Sequence, residues 1–155
     1  MARAYVGLGA NLGDRAATLA RAIDLLATRT GIDVIAVSAF RETDPVGYLD
    51  QPPFLNAAVA VDTSLAPSAL LATMLEVERE LGRVREGPRY GPRTVDLDLL
   101  LLDDVVLDEP GLELPHPRLH ERAFALEPLA ELDPDLVVPG HGPVRQLLLS
   151  LQSSA

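Results

Sequence analysis

The segment RYGPRTVDLDLLLL, residues 89–102, combines an arginine-rich start, two aspartates and a run of leucines. The leucine run is typical of a strand that enters a hydrophobic core. Because residues two apart in a strand point to the same face, we expect Asp96 and Asp98 to stand side by side, about 7 Å apart. The opposite face would carry Val95, Leu97 and Leu99. The segment therefore predicts a strand with one acidic face and one apolar face.

The acidic face of this strand indicates a metal site. Two adjacent carboxylates repel each other, and Mg²⁺, which prefers oxygen ligands of this kind, would relieve that repulsion. The arginines that precede the aspartates can form bidentate hydrogen bonds with phosphate oxygens. Together these groups indicate chemistry on a polyphosphate. The alternative is an edge strand with a solvated acidic face, since Asp-x-Asp alone is a short motif. The arginines and the Gly91-Pro92 turn favour the metal site.

Length and composition narrow the class of protein. The 155 residues suit a single domain, 1–155, and 48% hydrophobic residues with a mean hydropathy of +0.17 are enough to fill a core. The start of the chain lacks a signal-peptide pattern, and no apolar run reaches membrane-spanning length. We therefore expect a soluble cytoplasmic protein without a membrane partner.

Residue types that are missing exclude several kinds of chemistry. The chain has no cysteine, which excludes disulfides, thiolate nucleophiles and Cys-ligated zinc. All 13 cationic side chains are arginine, so a phosphate-binding or Schiff-base lysine is excluded as well. A net charge of −10 disfavours nucleic acid as a partner.

Positive charge is nevertheless concentrated in one short stretch. Between positions 83 and 93, where Glu86 is the single acid, lie Arg83, Arg85, Arg89 and Arg93. An anionic ligand would explain such a cluster on an acidic protein; a solvated loop is the alternative. A second cationic group lies near the start of a predicted helix, where anions are favoured. This group consists of His116, Arg118 and Arg122.

The order of the predicted elements indicates the fold. We predict strands at 4–9, 32–40, 54–62 and 95–102, helices at 14–28 and from Ser64 to Gly82, and a glycine turn at 7–14. A short strand at 105–107, irregular chain at 136–142 and helices from about 118 and over 144–151 follow. This order predicts an α+β protein with a ferredoxin-like βαββαβ core, an antiparallel sheet, and an extra C-terminal hairpin and helices.

Asn56 is unusual for a residue within a predicted strand. Its amide can both donate and accept a hydrogen bond, which suits the edge of a heteroaromatic ring. The alternative is a hydrogen bond to the backbone of a nearby loop. The segment before this strand, residues 41–53, is rich in Pro, Gly and Asp and is long for a plain connection, which is typical of a binding loop.

Several separate blocks of the sequence resemble the 6-hydroxymethyl-7,8-dihydropterin pyrophosphokinases, enzymes of folate biosynthesis. The blocks are GANLG at 9–13, FLNAA at 54–58, GRVR at 82–85, GPRTVDLD at 91–98, and PHPR at 115–118 followed by Arg122 and Phe124. The resemblance implies transfer of the diphosphoryl group of ATP to the hydroxymethyl oxygen of the dihydropterin, with release of AMP.

The same resemblance implies roles for individual residues. Asp96 and Asp98 would bind two Mg²⁺ ions, and Arg83 and Arg93 would stabilise charge on the transferred group. The implied nucleotide contacts are Glu78, Arg85, Tyr90, Leu99, His116 and Arg122. The implied pterin contacts are Thr43, Asp44, Val46, Phe54, Asn56 and Phe124, of which the aromatic residues would lie around the ring.

Some positions depart from the family pattern, and other functions remain open. Tyr90 stands where a tryptophan is common, and Pro117 stands where some members have a tyrosine. We also expect segment 82–90 to close as a lid when both substrates are bound. Small molecules are the expected partners, and we expect a monomer. The rival functions are another Mg²⁺-dependent nucleotide transferase and a non-catalytic ferredoxin-like ligand-binding module; AMP release that depends on the pterin would separate them.

Overall fold

The computed structural model describes residues 1–11, 13–43, 53–83 and 95–153, without the side chains of Arg83 and Ser153. The strands are β1 (Ala2–Ala10), β2 (Ile32–Val37), β3 (Arg41–Thr43), β4 (Phe54–Thr63), β5 (Asp96–Leu102), β6 (Leu107–Glu109), β7 (Leu112–Leu114), β8 (Val137–Val138) and β9 (Gly142–Pro143). The helices are α1 (Arg15–Ala27), α2 (Pro67–Arg83), α3 (Ala123–Leu132) and α4 (Val144–Ser153), and a 3₁₀ turn at Leu119–Glu121 precedes α3. Within these ranges, none of the helices combines the length and the apolar character that crossing a membrane requires.

The central sheet has the order β2-β4-β1-β5, and every neighbouring pair is antiparallel. β3 pairs with the start of β4, next to the part of β4 that pairs with β2. With α1 between β1 and β2, and α2 between β4 and β5, this order is the ferredoxin-like arrangement. The predicted α+β class and antiparallel sheet are therefore confirmed.

Helices cover both faces of the sheet. One core lies between the sheet and the helix pair α1 and α2, where the predicted stripe of α2 is buried: Leu70, Met74, Val77 and Leu81. The second core lies between the opposite face and α3 and α4, and it includes Tyr5, Leu126 and Leu129. Side chains alternate between these two cores along β1, as the period of a strand requires.

The glycine turn predicted at 7–14 is wrong for its first part. β1 continues to Ala10, so Gly7 and Gly9 lie within the strand. Both are paired on two sides, with β4 and with β5, and this double pairing holds flexible residues in an extended conformation. Of the two capping candidates that the sequence offers for α1, Asn11 and Asp14, the structure shows Asp14, whose carboxylate accepts a hydrogen bond from Ala17 N at 3.1 Å.

β2 ends at Val37, three residues earlier than predicted. The reason is Ser38, whose buried side chain replaces a backbone partner. The hydroxyl Oγ accepts a hydrogen bond from Ala58 N at 2.9 Å and donates one to Ala39 O at 3.0 Å. The chain rejoins the sheet at Arg41 as β3, so β2 and β3 together follow β4 with one interruption.

The expected cap of α2 at Ser64 is also wrong. The helix begins at Pro67, and its hydrogen bonds begin with Leu70 N donating to Ala66 O. Thr63 Oγ1, and not Ser64, accepts a hydrogen bond in this connection, from Leu65 N at 3.0 Å. At its other end α2 runs through Gly82 to Arg83, one residue beyond the predicted stop.

Two short hairpins follow the sheet. The strand predicted at 105–107 lies instead at Leu107–Glu109 and pairs with β7. A two-residue turn, Pro110 and Gly111, connects these strands, and Gly111 has φ +79°. The segment expected to be irregular contains β8 and β9, which pair with each other.

β5 carries a bulge that the alternation of its sequence does not predict. Leu99 pairs with Val6 while Leu101 pairs with Tyr5, so Leu100 is an extra residue on β5. Leu100 and Leu101 consequently both face the core under α3 and α4. The aspartates precede the bulge and share a face with each other, as predicted.

Candidate functional site

The pairing of three strands places the predicted site residues in rows across the sheet. Gly9 of β1 lies directly between Asn56 of β4 and Asp96 of β5. In the next row, Gly7 pairs with Asp98. Because neighbouring strands lie about 4.8 Å apart, the backbones at Asn56 and Asp96 stand roughly 10 Å from each other, with the backbone of Gly9 between them. The rows thus form a floor to which β1 adds no side chain, and Asn56 Oδ1 extends over Gly9.

A cleft of about 640 Å³ opens over this floor, between the sheet and the start of α3. Of the predicted site residues, the structure brings six together in its lining: Phe54, Asn56, Asp96, Asp98, Arg122 and Phe124. Gly7, Gly9, Leu100, Arg118 and Glu121 also line it. Residues as far apart in sequence as Gly7 and Phe124 therefore share one cavity, which lies between the sheet and the elements that cover this face.

Gly7 and Gly9 line the cleft, although they are not among the predicted site residues. A Cβ at Gly9 would lie 2.9 Å from Asn56 Oδ1, and one at Gly7 would lie 3.2 Å from Leu100 Cδ1. A side chain at position 9 would therefore displace the amide. The available signal was the spacing Gly-x-Gly inside a strand pattern, since residues two apart clear the same face.

Asn56 is held by a side chain and not by a loop backbone. Its Nδ2 donates a hydrogen bond to Thr43 Oγ1, which fixes the orientation of the amide. The residue is 7% exposed, and Oδ1 lies above Gly9 at the cleft floor. The amide oxygen and the second N–H of the same group thus remain as a donor and acceptor pair facing the cleft.

A smaller cavity of about 280 Å³ shares Asp98 with the cleft. Its lining includes the predicted residues Leu99 and His116, together with Leu71 and Glu113. Asp98 lines both this smaller cavity and the cleft. Asp98 is therefore the described residue that the two linings have in common.

His116 enters this cavity as a neutral donor. Its backbone N–H donates to Leu100 O at 2.9 Å, and its Nδ1 accepts from Arg118 N at 3.1 Å. Burial holds the pKa of His116 below its usual value, with Arg122 and Arg118 acting in the same direction and Asp98 opposing. A neutral ring whose Nδ1 accepts carries its proton on Nε2. The expected cationic group is therefore wrong for His116 near neutral pH and holds for the two arginines.

Arg122 and Phe124 contact each other at the wall of the cleft. The guanidinium carbon of Arg122 lies 5.6 Å from the centre of the Phe124 ring, a cation–π arrangement. Arg118 lines the same wall, and Glu121 offsets part of this positive charge. A flat ligand above the floor would meet an aromatic ring and a guanidinium on one side.

Glu78 takes a different place from the other predicted nucleotide contacts. It lies on α2, and its Oε2 accepts a hydrogen bond from Leu97 N at 3.1 Å. Leu97 stands between the two aspartates, on the opposite face of β5. Glu78 thus contacts the backbone of β5 at Leu97, between the two aspartates.

Several predicted site residues lie outside the part of the chain that the structure describes. These are Asp44, Val46, Arg85, Tyr90 and Arg93, as well as the side chain of Arg83 and the expected lid beyond it. Within the described ranges, no group of three or more His, Cys, Asp or Glu side chains is placed to hold a metal ion. Asp96 and Asp98 form a pair, which suits Mg²⁺ because this ion keeps several waters and takes further ligands from substrate phosphates.

Comparison with known families identifies the kind of protein that carries this cleft. The profile of the family 7,8-dihydro-6-hydroxymethylpterin-pyrophosphokinase (HPPK) matches residues 5–134. The chain belongs to this family. A 2-amino-4-hydroxy-6-hydroxymethyldihydropteridine pyrophosphokinase of Methylorubrum extorquens is 51% identical over 154 residues, which cover 99% of this chain and 96% of that protein. The protein of the same name in Pseudomonas aeruginosa is 44% identical over 146 residues, 94% of this chain and 90% of that one.

Solved structures share the HPPK fold. A crystal structure of Plasmodium falciparum HPPK-DHPS with pterin and p-hydroxybenzoate matches 99% of this chain with a TM-score of 0.75 at 16% identity. A crystal structure of HPPK-DHPS in complex with substrates matches with a TM-score of 0.74 at 13% identity. This HPPK-family chain spans 43% and 44% of those two solved chains, so the likeness shows the fold of one part of them.

Proposed function

We propose that this chain transfers the diphosphoryl group of ATP to the hydroxymethyl oxygen of 6-hydroxymethyl-7,8-dihydropterin in the cleft over Gly7 and Gly9. The family and its named relatives support ATP-dependent pyrophosphoryl transfer to hydroxymethyldihydropterin in folate biosynthesis. In this reaction a bond forms between the hydroxymethyl oxygen and the β-phosphorus. The bond between the α- and β-phosphates breaks, and AMP leaves.

The observation that carries the proposal is the position of Asp98, which lines both cavities. Two substrates that occupy separate cavities can react only where those cavities meet. The reacting hydroxyl and the polyphosphate would therefore lie beside this carboxylate and its neighbour Asp96. Such juxtaposition of two bound reactants supplies a large part of the catalytic effect in group transfer.

The larger cavity suits the pterin. Asn56 offers a donor and an acceptor to the polar edge of the ring, and Phe54 and Phe124 supply aromatic surface for its faces. The backbones of Asn56 and Asp96 stand two strand spacings apart, and β1 adds no side chain between them, so the ring would lie over the glycine floor. A ring held at Asn56 directs its hydroxymethyl substituent toward the aspartates.

The smaller cavity suits the nucleotide. His116 presents a neutral Nε2–H donor there, and Leu71 and Leu99 provide apolar surface for a base. Arg122 would meet the phosphates from the side of the larger cavity, where a guanidinium can bind oxygens in a bidentate manner. Arg83, Arg85 and Arg93, with Tyr90, Asp44 and Val46, belong to the proposal through the family resemblance.

Asp96 and Asp98 are the residues that would hold Mg²⁺, and two ions are proposed. When bound, the ions would neutralise phosphate charge and increase the acidity of the attacking hydroxyl. The carboxylate oxygens of the two aspartates would supply the protein ligands to these ions. Glu78 contributes by holding the backbone of Leu97, between the two aspartates, in place.

The remaining parts of the proposal concern the state of the protein. We place the enzyme in the cytoplasm, where ATP is available, as one domain over residues 1–155. We expect this domain to act as a monomer, with ATP and the pterin as its small-molecule partners.

The deciding experiment is a direct assay of products. The purified chain is incubated with ATP, Mg²⁺ and 6-hydroxymethyl-7,8-dihydropterin, and AMP and the pterin diphosphate are separated by chromatography. We expect equal amounts of both products, and no AMP when the pterin is omitted or a chelator is added. AMP that forms at the same rate without the pterin would overturn the proposal, as would ADP in place of AMP.

A further inference from the structure

The three residues of β3 each contact a different part of the molecule. Arg41 pairs with Glu131 of α3, Glu42 pairs with Arg15 of α1, and Thr43 accepts the hydrogen bond from Asn56. Arg41 and Thr43 share one face of the strand and Glu42 lies on the other, so the strand is held from both sides of the sheet. A strand of three residues is short to hold its own position, which makes these side-chain contacts important.

Arg15 connects the two strands that carry the amide and its partner. Its Nη2 donates to Glu42 Oε2 at 2.8 Å, and its Nη1 donates to Pro53 O at 2.7 Å. Glu42 lies in β3, and Pro53 immediately precedes β4. One guanidinium therefore binds both strands at the end where Thr43 pairs with Phe54. Charge-assisted hydrogen bonds of this kind are stronger than neutral ones.

Glu131 holds the other end of β3. Its Oε2 accepts a hydrogen bond from Ala39 N at 2.9 Å, and its Oε1 accepts one from Arg41 Nη2 at 2.6 Å. Glu131 is seven residues after Phe124 on α3, which places both on one side of that helix. The helix that lines the cleft with Phe124 is thus tied to the strand that orients Asn56.

We propose that Arg15 and Glu131 are positioning residues of the pterin subsite, which act on Asn56 through β3 and Thr43. The inference rests on the proposed function, because it assumes that the pterin binds at Asn56. Neither side chain is among the described residues that line the cleft. Their effect on the ligand is therefore indirect: they set the position of Thr43 Oγ1, and that oxygen sets the direction of the amide above Gly9.

The test measures pterin and ATP binding separately, at equilibrium. For Arg15→Ala we expect pterin affinity to fall about fivefold to tenfold, as for the loss of a charge-assisted contact, with MgATP affinity changed less than about twofold. Arg15→Lys, which can reach one of the two acceptors, should recover part of the loss. Glu42→Ala removes one of the two contacts and should have a smaller effect than Arg15→Ala.

A matched control is available at the other end of β4. Arg3→Ala also breaks an ion pair, with Asp62, whose exposure resembles that of Arg15 with Glu42. Asp62 lies six residues beyond Asn56 on β4, roughly 20 Å away at the rise of a strand. Arg3→Ala should therefore reduce thermal stability to a similar extent and leave pterin affinity unchanged.

A double-mutant cycle decides whether Arg15 acts through Asn56. In an Asn56→Leu background, Arg15→Ala should cause little further loss of pterin affinity, because the group that it positions is gone. The same cycle with Glu131→Gln should also be non-additive. Additive losses, or equal weakening of pterin and ATP binding, would overturn the positioning role. If the wild-type chain does not bind the pterin at all, the proposed function fails instead.

Discussion

The sheet face beneath α3 has an apolar end and a polar end, which are built from the same three strands. At the apolar end, Tyr5 of β1 lies between Ala60 and Leu101, and all three are at most 5% exposed. At the polar end, Gly9 occupies the middle of the row, and its neighbours are an amide and a carboxylate. Both rows are antiparallel on both sides of β1, but the bulge at Leu100 of β5 separates them, so the side chains and this bulge together distinguish the two ends.

The comparison shows that the cleft lies where β1 carries glycine in place of a large side chain. A phenol ring in the middle of a row fills the gap between strand and helix, and the helix packs on it. Glycine in the same position adds no side chain of its own, so Asn56 Oδ1 lies above Gly9 at the floor of the cleft. We therefore expect changes at the polar end to affect ligands and turnover, with smaller effects on folding.

The largest expected effect comes from the carboxylate that lines both cavities. Asp98→Asn should lower turnover on the order of a hundredfold or more, because it removes an anionic metal ligand next to the transferred group. Steady-state AMP formation measures the loss. Asp104→Asn, which removes the same charge from an exposed turn beyond β5, is the matched control and should leave turnover unchanged. Near-normal turnover in both Asp98→Asn and Asp96→Asn would contradict the metal assignment.

The amide at the opposite wall comes next. Asn56→Leu leaves the polar edge of the pterin without a partner, at a cost of about 1–3 kcal/mol of pterin binding. Separate titrations of the two substrates should show little change for ATP. If the affinities for the pterin and for ATP fall equally, Asn56 stabilises the whole site and does not bind the edge of the pterin ring specifically.

The glycines offer a sharper comparison within the polar end. Gly9→Ala should lower pterin affinity about fivefold to tenfold, because the new Cβ forces Asn56 off its rotamer and away from Thr43. Gly7→Ala is the matched change two residues away, where the flexible end of Leu100 can move, and we expect less than about a threefold loss. If the two variants bind the pterin with equal affinity, the residue at position 9 does not control the orientation of the Asn56 amide.

The smallest expected effect is a pH dependence of stability that originates at Glu131. Hydrogen bonds from Ala39 N and Arg41 hold its pKa below the usual value of 4.5. Because the pKa is lower in the folded protein, the stabilising contribution is present above about pH 4.5 and is lost as the pH falls through the folded-state value. The difference in unfolding temperature between wild type and Glu131→Gln should therefore shrink in acid. A difference that stays constant on acidification would contradict this account.

Much of the fold was predictable because local patterns and long-range packing agree. Strand alternation located β1, β4 and β5, the apolar stripe located α2, and the element order gave the ferredoxin-like class. The errors occurred where a single polar contact overrides a pattern. Ser38 ends β2 by replacing a backbone partner, and Thr63 takes the hydrogen bond expected of Ser64.

For the candidate site, the sequence by itself determined the residue types and their spacing. Asp96 and Asp98 share a face because a strand has a period of two, and Asn56 was identified by its poor fit to a strand. Motif blocks in the right order indicated the family, and the family match over residues 5–134 confirms it.

Only the tertiary structure decided the relations between segments that are distant in the chain. The register of β1 with β4 and β5 places a glycine between the amide and the carboxylate, and a shift by one residue would turn these groups to the opposite face. The bulge at Leu100 and the two side chains that hold β3 are likewise invisible in the sequence, because each depends on partners from other strands and helices. Local pattern specifies the face on which a residue lies, whereas the packing of distant segments specifies what it meets there.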